Sequence, residues 1–295
     1  MDEEAHYPGL FRLADRSAMI GQRRFFVTTV LRLGSLATAA VFGTFSIESG
    51  KVDIAALITG SALAAALVVE VYLLTARPDR HWFEARAAAE SAKTLAWRYA
   101  VGGQPFDLNG GPDDPDRLLL GRMLQIVRQM RGFAPVPFEE ESHAVTAEMR
   151  RIRGLPLAER QELYRRGRIQ DQRLWYRSRA LTNEHRAIGW SVALASIEAI
   201  GLIAAVLGAA RVIDLDVPGI VGALAAAGIA WTQTRQYRQL AQSYALAAFE
   251  LGTVANEDHW PVSEPEWAHF VDEAEETISR EHMLWAASHS LVSDL

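Results

Sequence analysis

Gly189 to Ile213 is a run of 25 residues in which only Glu198 and Arg211 are charged. At about 1.5 Å of helical rise per residue, such a run is long enough to cross a hydrocarbon core of about 30 Å. Val217 to Trp231 is a second apolar run, reached through a short acidic turn at Ile213 to Val217. The pair reads as a membrane hairpin. A second hairpin lies nearer the N-terminus: Phe25 to Ile47 holds 23 residues broken only by Arg32, Glu48 to Asp53 is a turn, and Ile54 to Ala76 holds 23 residues whose one charge is Glu70. The predicted fold class is therefore all-α: an integral membrane protein with two transmembrane helical hairpins, four spans, and a cytoplasmic helical body. Val217 to Trp231 has only 15 residues, so that span reaches further through Thr232 to Thr234 or thins the bilayer at modest cost.

Charge placement gives an orientation, because Lys and Arg flanking spans are retained on the cytoplasmic side. Arg12, Arg16, Arg23 and Arg24 precede the first hairpin and Arg77, Arg80, Arg86 and Lys93 follow it, against Lys51 alone in its turn. Arg173, Arg177, Arg179 and Arg186 precede the second and Arg235 and Arg238 follow it, with only Arg211 near its turn. Both termini and the central region are expected in the cytoplasm and both turns outside. The alternative is a soluble bundle with Ala-rich core helices; the same charge bias around both hairpins favours the bilayer as the partner.

Composition narrows the remaining choices. A net charge of −6 and a pI near 5.8 give no basic face for nucleic acid. The chain has no cysteine, which excludes disulfides, thiolate metal sites and cysteine nucleophiles. The first apolar run starts only near Phe25, so no cleaved secretory signal is expected.

After each hairpin the chain continues as an amphipathic helix. Trp82, Ala85, Ala89, Ala92, Ala96 and Tyr99 recur every three or four residues, as do Tyr237, Leu240, Tyr244, Ala247, Leu251 and Val254. Seams of this period pack helix on helix, and alanines allow close approach. Ala18, Met19 and Arg24 match Ala180, Leu181 and Arg186 at a constant offset of 162. The repeated order of basic helix, hairpin and seam helix indicates duplication. Residues 1–110 are the first two-span unit, 111–163 a helical connector, and 164–295 the second unit with a C-terminal helix.

In the connector, Gly102 to Pro105 stops the first seam helix, and Asp114-Pro115 is an N-cap followed by proline at the first helical position. The helix that follows, with Leu119, Met123, Ile126, Val127 and Met130 on one face, is expected to run to Gly132. Phe133 to Phe138 reads as a turn, Glu139 to Glu141 as a solvated acidic run, and Ala144 to Tyr164 as a charged surface helix. The C-terminal helix starts at Glu264 with a Ser263/Glu266 capping box. Its stripe Trp267, Phe270, Ala274, Ile278 and Trp285 packs on the seam helices or docks a partner.

Chemistry is sparse. The eight histidines are dispersed, His259, His269, His282 and His289 lack a metal-ligand spacing, and Glu281-His282 points to two helix faces. Gly102-Gly103 and Gly110-Gly111 are a helix stop and a loop rather than a phosphate cradle. No catalytic site, metal site or cofactor is assigned, and the protein is not expected to be an enzyme. Trp82, Trp97, Trp175, Tyr176, Trp190 and Trp231 mark core packing and the membrane interface. The intramembrane polar residues are Arg32, Glu70 and Glu198. Glu70 lies about two turns from the cytoplasmic end of its span and is placed to pair with Arg32. Glu198, near mid-span with no basic neighbour within a turn, either bridges helices or lines a pore. Gly60 to Ala64 and Gly219, Ala223 and Ala227 offer small-residue faces for homo-oligomers.

Tyr164, Arg168, Ile169, Asp171, Gln172, Trp175, Tyr176 and Ala180, in YRRGRIQDQRLWYRSRA, resemble the entry motif of the SLATT domain, a bacterial two-transmembrane family. Arg179 stands where that motif has lysine. Glu90, Lys93, Trp97, Arg98 and Tyr99 resemble the signature of another SLATT subfamily, and Ile278 to Trp285 also fits, so the likeness extends from about Tyr7 to Ser288 as a tandem pair. The resemblance implies a membrane effector of bacterial conflict or anti-phage defence in the inner membrane. Its implied partners are a nucleotide synthase or a nucleotide-sensing protein, and it is expected to form pores that kill or arrest the cell. Three readings stay open on the residues themselves: an oligomeric pore, a non-conducting membrane-anchored scaffold or sensor, and a soluble helical protein.

Overall fold

A computed structural model describes residues 6–109, 114–130, 144–212, 216–255 and 260–293, with side chains to residue 279. The elements are α1 (Gly9–Phe42), β1 (Glu48–Ser49), β2 (Val52–Asp53), α2 (Ile54–Ala76), α3 (Pro78–Val101), α4 (Pro115–Gln129), α5 (Ala147–Arg153) and α6 (Leu157–Tyr164). A π-helix (Arg165–Gln170) then leads into α7 (Asp171–Ala209), followed by α8 (Val217–Arg235), α9 (Tyr237–Ala255) and α10 (Glu264–Ser293). The protein is all-α apart from the two-residue strands, and four of its helical stretches are long and apolar enough to cross a membrane.

The chain divides into two units. The membrane unit contains residues 23–78 and 180–242, and the helical unit contains 1–22, 79–179 and 243–295. Each draws on both halves of the sequence, because α1, α7 and α9 pass from one into the other.

In the membrane unit, α2 has the expected bounds, and its start is fixed by Asp53. The Asp53 carboxylate accepts from the Ala55 and Ala56 amides at 2.9 and 3.2 Å, satisfying orphan donors of the first turn. The Glu48 to Asp53 turn carries a short antiparallel ladder, Glu48 opposite Asp53 and Ser49 opposite Val52, with Gly50 at φ +67. The other span boundaries shift. Leu10 to Arg24 and the first span are one continuous helix, which ends at Phe42 rather than Ile47, since nothing between Arg24 and Phe25 breaks the backbone ladder. The run from Gly189 is the second half of the 39-residue α7 and stops at Ala209. α8 extends to Arg235, so 19 residues rather than 15 are helical, and Asp216 caps it by accepting from Gly219. The turn residues 213–215 lie outside the described residues. Both α2 and α8 end on a non-glycine residue in the left-handed region, Arg77 at φ 40 and Gln236 at φ 49, and a seam helix begins at the next residue. The duplication is thus visible in backbone geometry.

In the helical unit the first seam is fully buried: Trp82, Ala85, Ala89, Ala92, Ala96 and Tyr99. The second seam, on α9, is buried at Tyr237 in the membrane unit and at Ala247 and Leu251 in the helical unit, and partly buried elsewhere. α3 stops at Gly102, whose φ of +79 suits glycine. At Gly103 a Cβ would fall 2.4 Å from Val271 Cγ1, so the absent side chain lets α10 reach the end of α3. α10 packs there as expected, with Trp267, Ala274 and Ile278 buried, and the Glu266 amide donates to Ser263 Oγ at 3.4 Å. Trp285 lies outside the described side chains.

Two connector expectations are corrected. α4 is capped by Asp114 and buries Leu119 and Met123, but it ends at Gln129, short of Gly132. Ala144 to Tyr164 is not one surface helix: Gly154 and Pro156 split it into α5 and α6, and Met149, Ile152, Arg160 and Tyr164 are buried. Arg150, Arg151 and Glu159 are exposed as expected, whereas Arg160 is buried and paired with Glu264. Gly110-Gly111 and residues 131–143, including Glu139 to Glu141, lie outside the described residues.

Candidate functional site

The helical unit holds a buried polar centre built from three segments. Arg168, in the π-helix, is 1 % exposed, and Glu275 of α10 is 0 % exposed. The guanidinium meets the carboxylate side-on: Arg168 Nε donates to Glu275 Oε1 at 2.8 Å and Nη2 to Oε2 at 2.7 Å. Two hydroxyls complete the cradle, Thr94 of α3 donating to Oε2 at 2.8 Å and Tyr164 to Oε1 at 3.1 Å. Arg168 Nη2 also donates to Thr94 Oγ1 at 3.3 Å. Four donors on one carboxylate are what burial of an ion pair requires. Burial works against the guanidinium charge, but Glu275 beside it outweighs that and holds Arg168 protonated. Burial also pushes the Tyr164 hydroxyl well above its usual range, with the Glu275 charge adding to it.

Around this centre lie Lys93 and Tyr7. Lys93 Nζ stands 5.7 Å from the Tyr7 ring centroid. Burial pushes the Lys93 ammonium down, and Arg168 pushes it the same way while Glu90 opposes. Tyr7 accepts from the Trp97 indole at 3.1 Å, and burial raises its hydroxyl to about 12. Arg86 of α3 bridges Glu90 at 2.6 Å and Asp15 of α1 at 3.1 Å. The packing beside these groups is aromatic: Trp97, Tyr164 and Trp267 follow one another at centroid distances of 5.8 and 5.6 Å, edge to face. π-helical turns concentrate at functional positions because the extra residue displaces side chains from the α-helical register. Here the π-helix Arg165–Gln170 carries Arg168 immediately before the helix that runs on into the membrane unit.

The family model for SMODS and SLOG-associating 2TM effector domain 3 matches residues 8–161, and that for effector domain 1 matches residues 164–285. The chain is a tandem SLATT protein. No curated protein and no solved structure matches it. The two SLATT domains therefore meet at residues 161–164, beside the buried centre, and both contribute to it: Thr94 and Trp97 from the first, Tyr164, Arg168 and Glu275 from the second.

The residues that carry the SLATT resemblance fall into three places. Glu90, Lys93 and Trp97 join Arg168 at the centre; Gln172 is buried one turn further along, and Asp171 is exposed. Trp175 and Tyr176 stack on Tyr244 of α9 at 5.5 and 5.8 Å, in a smaller cluster with Ala247, Leu251 and Ile278. Tyr99 turns the other way, donating to Asp116 at 2.5 Å with the Arg153 guanidinium 5.0 Å from its ring, and burial together with Asp116 lifts its hydroxyl to about 12. Sequence reasoning missed Glu275, Thr94 and Arg160. Arg160 is buried too, donating to the Leu155 and Val101 carbonyls at 3.0 and 2.5 Å and pairing with Glu264. A signal for Glu275 existed: it stands four residues after Val271 and three before Ile278, a core position of the α10 stripe.

The intramembrane candidates belong to the membrane unit. Arg32 Nη1 donates to Glu70 Oε2 at 2.8 Å, joining α1 to α2. Glu198 is exposed on α7 and, among the described residues, makes no hydrogen bond or ion pair. Arg235 lies 4.0 Å from the Phe26 centroid and 5.5 Å from that of Trp231, an aromatic and basic group at the end of α8. His269 lies 3.2 Å from Glu273; the side chains of His282 and His289, and the whole of His259, lie outside the description. Among the described residues no group of His, Asp or Glu could hold a metal ion.

Proposed function

We propose that this tandem SLATT protein is a membrane effector of a bacterial conflict or anti-phage system that oligomerises and opens a pore on a nucleotide-linked signal. The observation that carries this reading is Glu198, a carboxyl at mid-span on the outer surface of a single chain. A group of that kind normally faces a protein interior or water, and an assembly around an aqueous lumen supplies both. The family, an effector domain associating with SMODS and SLOG, supports a nucleotide synthase or nucleotide-sensing protein as partner. In this reading the protein is not an enzyme. It sits in the bacterial inner membrane with both termini in the cytoplasm.

Purified protein in liposomes is expected to release entrapped ions once activated, and Glu198→Lys to reverse the preference for cations that a carboxylate ring imposes. Intact liposomes under every activating condition would instead support a non-conducting anchored scaffold. That second reading is favoured by Leu246 and Phe249, which stand 59 % and 71 % exposed on α9. Orientation is tested separately. A reporter fused after residue 110 or at the C-terminus should read cytoplasmic, and one after residue 50 or 215 external; an external signal at residue 110 overturns the two-hairpin topology.

A further inference from the structure

Within the membrane unit α7 carries two stripes on roughly opposite sides. Trp190, Leu194, Ile197, Gly201 and Ala204 form the inner one, and none of them is exposed. It is closely packed: a Cβ on Gly201 would lie 2.7 Å from Val221 Cγ1, and one on Gly228 of α8 would lie 2.8 Å from Leu194 Cδ2. Ile188, Val192, Ala195, Ala199, Leu202 and Val206 form the outer stripe at spacings of 4, 3, 4, 3 and 4, and all six are exposed.

An apolar outer stripe alone would be content against lipid, since lipid tails are as apolar as leucine. Ser191 at its edge is satisfied by donating to the Ala187 carbonyl at 2.9 Å, but the Glu198 carboxyl on the same line would not be. Ser191 and Glu198 are seven residues apart, so nearly the same angle on a helix of 3.6 residues per turn, and Glu184 continues the line toward the basic flank. All three are exposed. Whatever covers this surface must place polar groups at the depth of Glu198 and offer an apolar repeat of the same period beside them. A second copy of α7, related by an axis along the membrane normal, does both, because symmetry sets its Glu198 at the same depth.

We infer that α7 is the self-association helix: the outer stripes of neighbouring copies pack together, and Ser191 and Glu198 face the space that the α7 helices enclose. This rests on the oligomeric-pore reading and names the helix that forms its wall.

The absence of cysteine makes the test direct, because any cysteine introduced is the only one in the chain. In membranes, mild oxidation of Ala195→Cys or Ala199→Cys is expected to give disulfide-linked dimers. Val68→Cys, on the exposed face of α2, is expected to remain uncrosslinked. Ser191→Cys is expected to react with a membrane-impermeant charged thiol reagent about tenfold faster than Ala193→Cys, which is exposed at nearly the same depth on the other side of α7, since thiol reactivity follows access to water. Light scattering in detergent reports the oligomeric state of each variant. Oligomers that crosslink at Val68→Cys and not at Ala195→Cys or Ala199→Cys overturn α7 as the wall and leave the pore reading standing. Crosslinks through α7 with equal labelling at the two reporter positions overturn the orientation of the polar line. Monomers throughout overturn the oligomeric pore itself, and its wall with it.

Discussion

Glu275→Ala is expected to destabilise the helical unit by about 3–5 kcal/mol, the usual effect of removing one partner from a buried, hydrogen-bonded ion pair. Most of that loss comes from what remains. Without the carboxylate, the buried Arg168 guanidinium keeps its charge, since it cannot be deprotonated in a protein. Thr94 and Tyr164 lose their acceptor at the same moment. Tyr164→Phe deletes only one donor and should cost about 1 kcal/mol. The double variant Arg168→Met/Glu275→Leu removes both charges and should recover most of the loss, because apolar replacements of a buried pair are often neutral or better. Denaturant unfolding followed by tryptophan fluorescence measures all three, with Trp97 and Trp267 in the same core as reporters. Glu275→Ala within 1 kcal/mol of wild type would mean that water reaches the centre and that the pair is not the structural lock described.

How far the sequence alone reached depends on what each feature requires. Asp53 and Asp114 announce helix starts because capping is local, and α2 could be bounded to the residue. Ala85, Ala89, Ala92 and Ala96 announce a buried face because their period is local too. Helix continuity was harder. The change from charged to apolar at Arg24 or Arg186 alters the solvent that a helix meets, not its backbone, so α1 and α7 run straight through. Arg160 sits in a stretch, Ala144 to Tyr164, so rich in charge that it reads as surface, and Arg168 stands out only through the SLATT motif, with nothing local to mark it as buried. Their acceptors are Glu264 and Glu275, more than a hundred residues away, and only the fold brings them near.

The tandem arrangement changes what each SLATT domain can do alone. Trp97 of the first domain packs on Tyr164 of the second, and Thr94 of the first donates to Glu275 of the second. A lone copy of either domain would leave half of this centre without its partners and with buried polar atoms facing nothing. Both domains thus contribute to one shared core, Glu90, Lys93 and Trp97 from the first and Tyr164, Arg168 and Glu275 from the second. The buried pair sits at the base of α7, and Glu198 lies further along the same helix.

The Arg32–Glu70 pair is expected to give the second large effect, and an asymmetric one. Glu70→Ala leaves a guanidinium in the first span that cannot shed its charge. A basic residue near the centre of a span disfavours insertion by about 2.5–3.5 kcal/mol, lessened where a long stem can reach the headgroups. Arg32→Ala leaves a carboxylate, which can be neutralised by binding a proton, so its effect should be about half as large. Removing both charges in Arg32→Leu/Glu70→Leu should restore wild-type insertion, since apolar side chains at 32 and 70 suit both lipid and helix packing. The fraction of each variant integrated in the membrane, with thermal unfolding in detergent, ranks the four proteins. If Arg32→Ala is the more damaging single variant, Glu70 is not the group that anchors Arg32. If the double variant inserts normally but loses ion flux in liposomes, the pair belongs to the conduction machinery rather than to the join between α1 and α2.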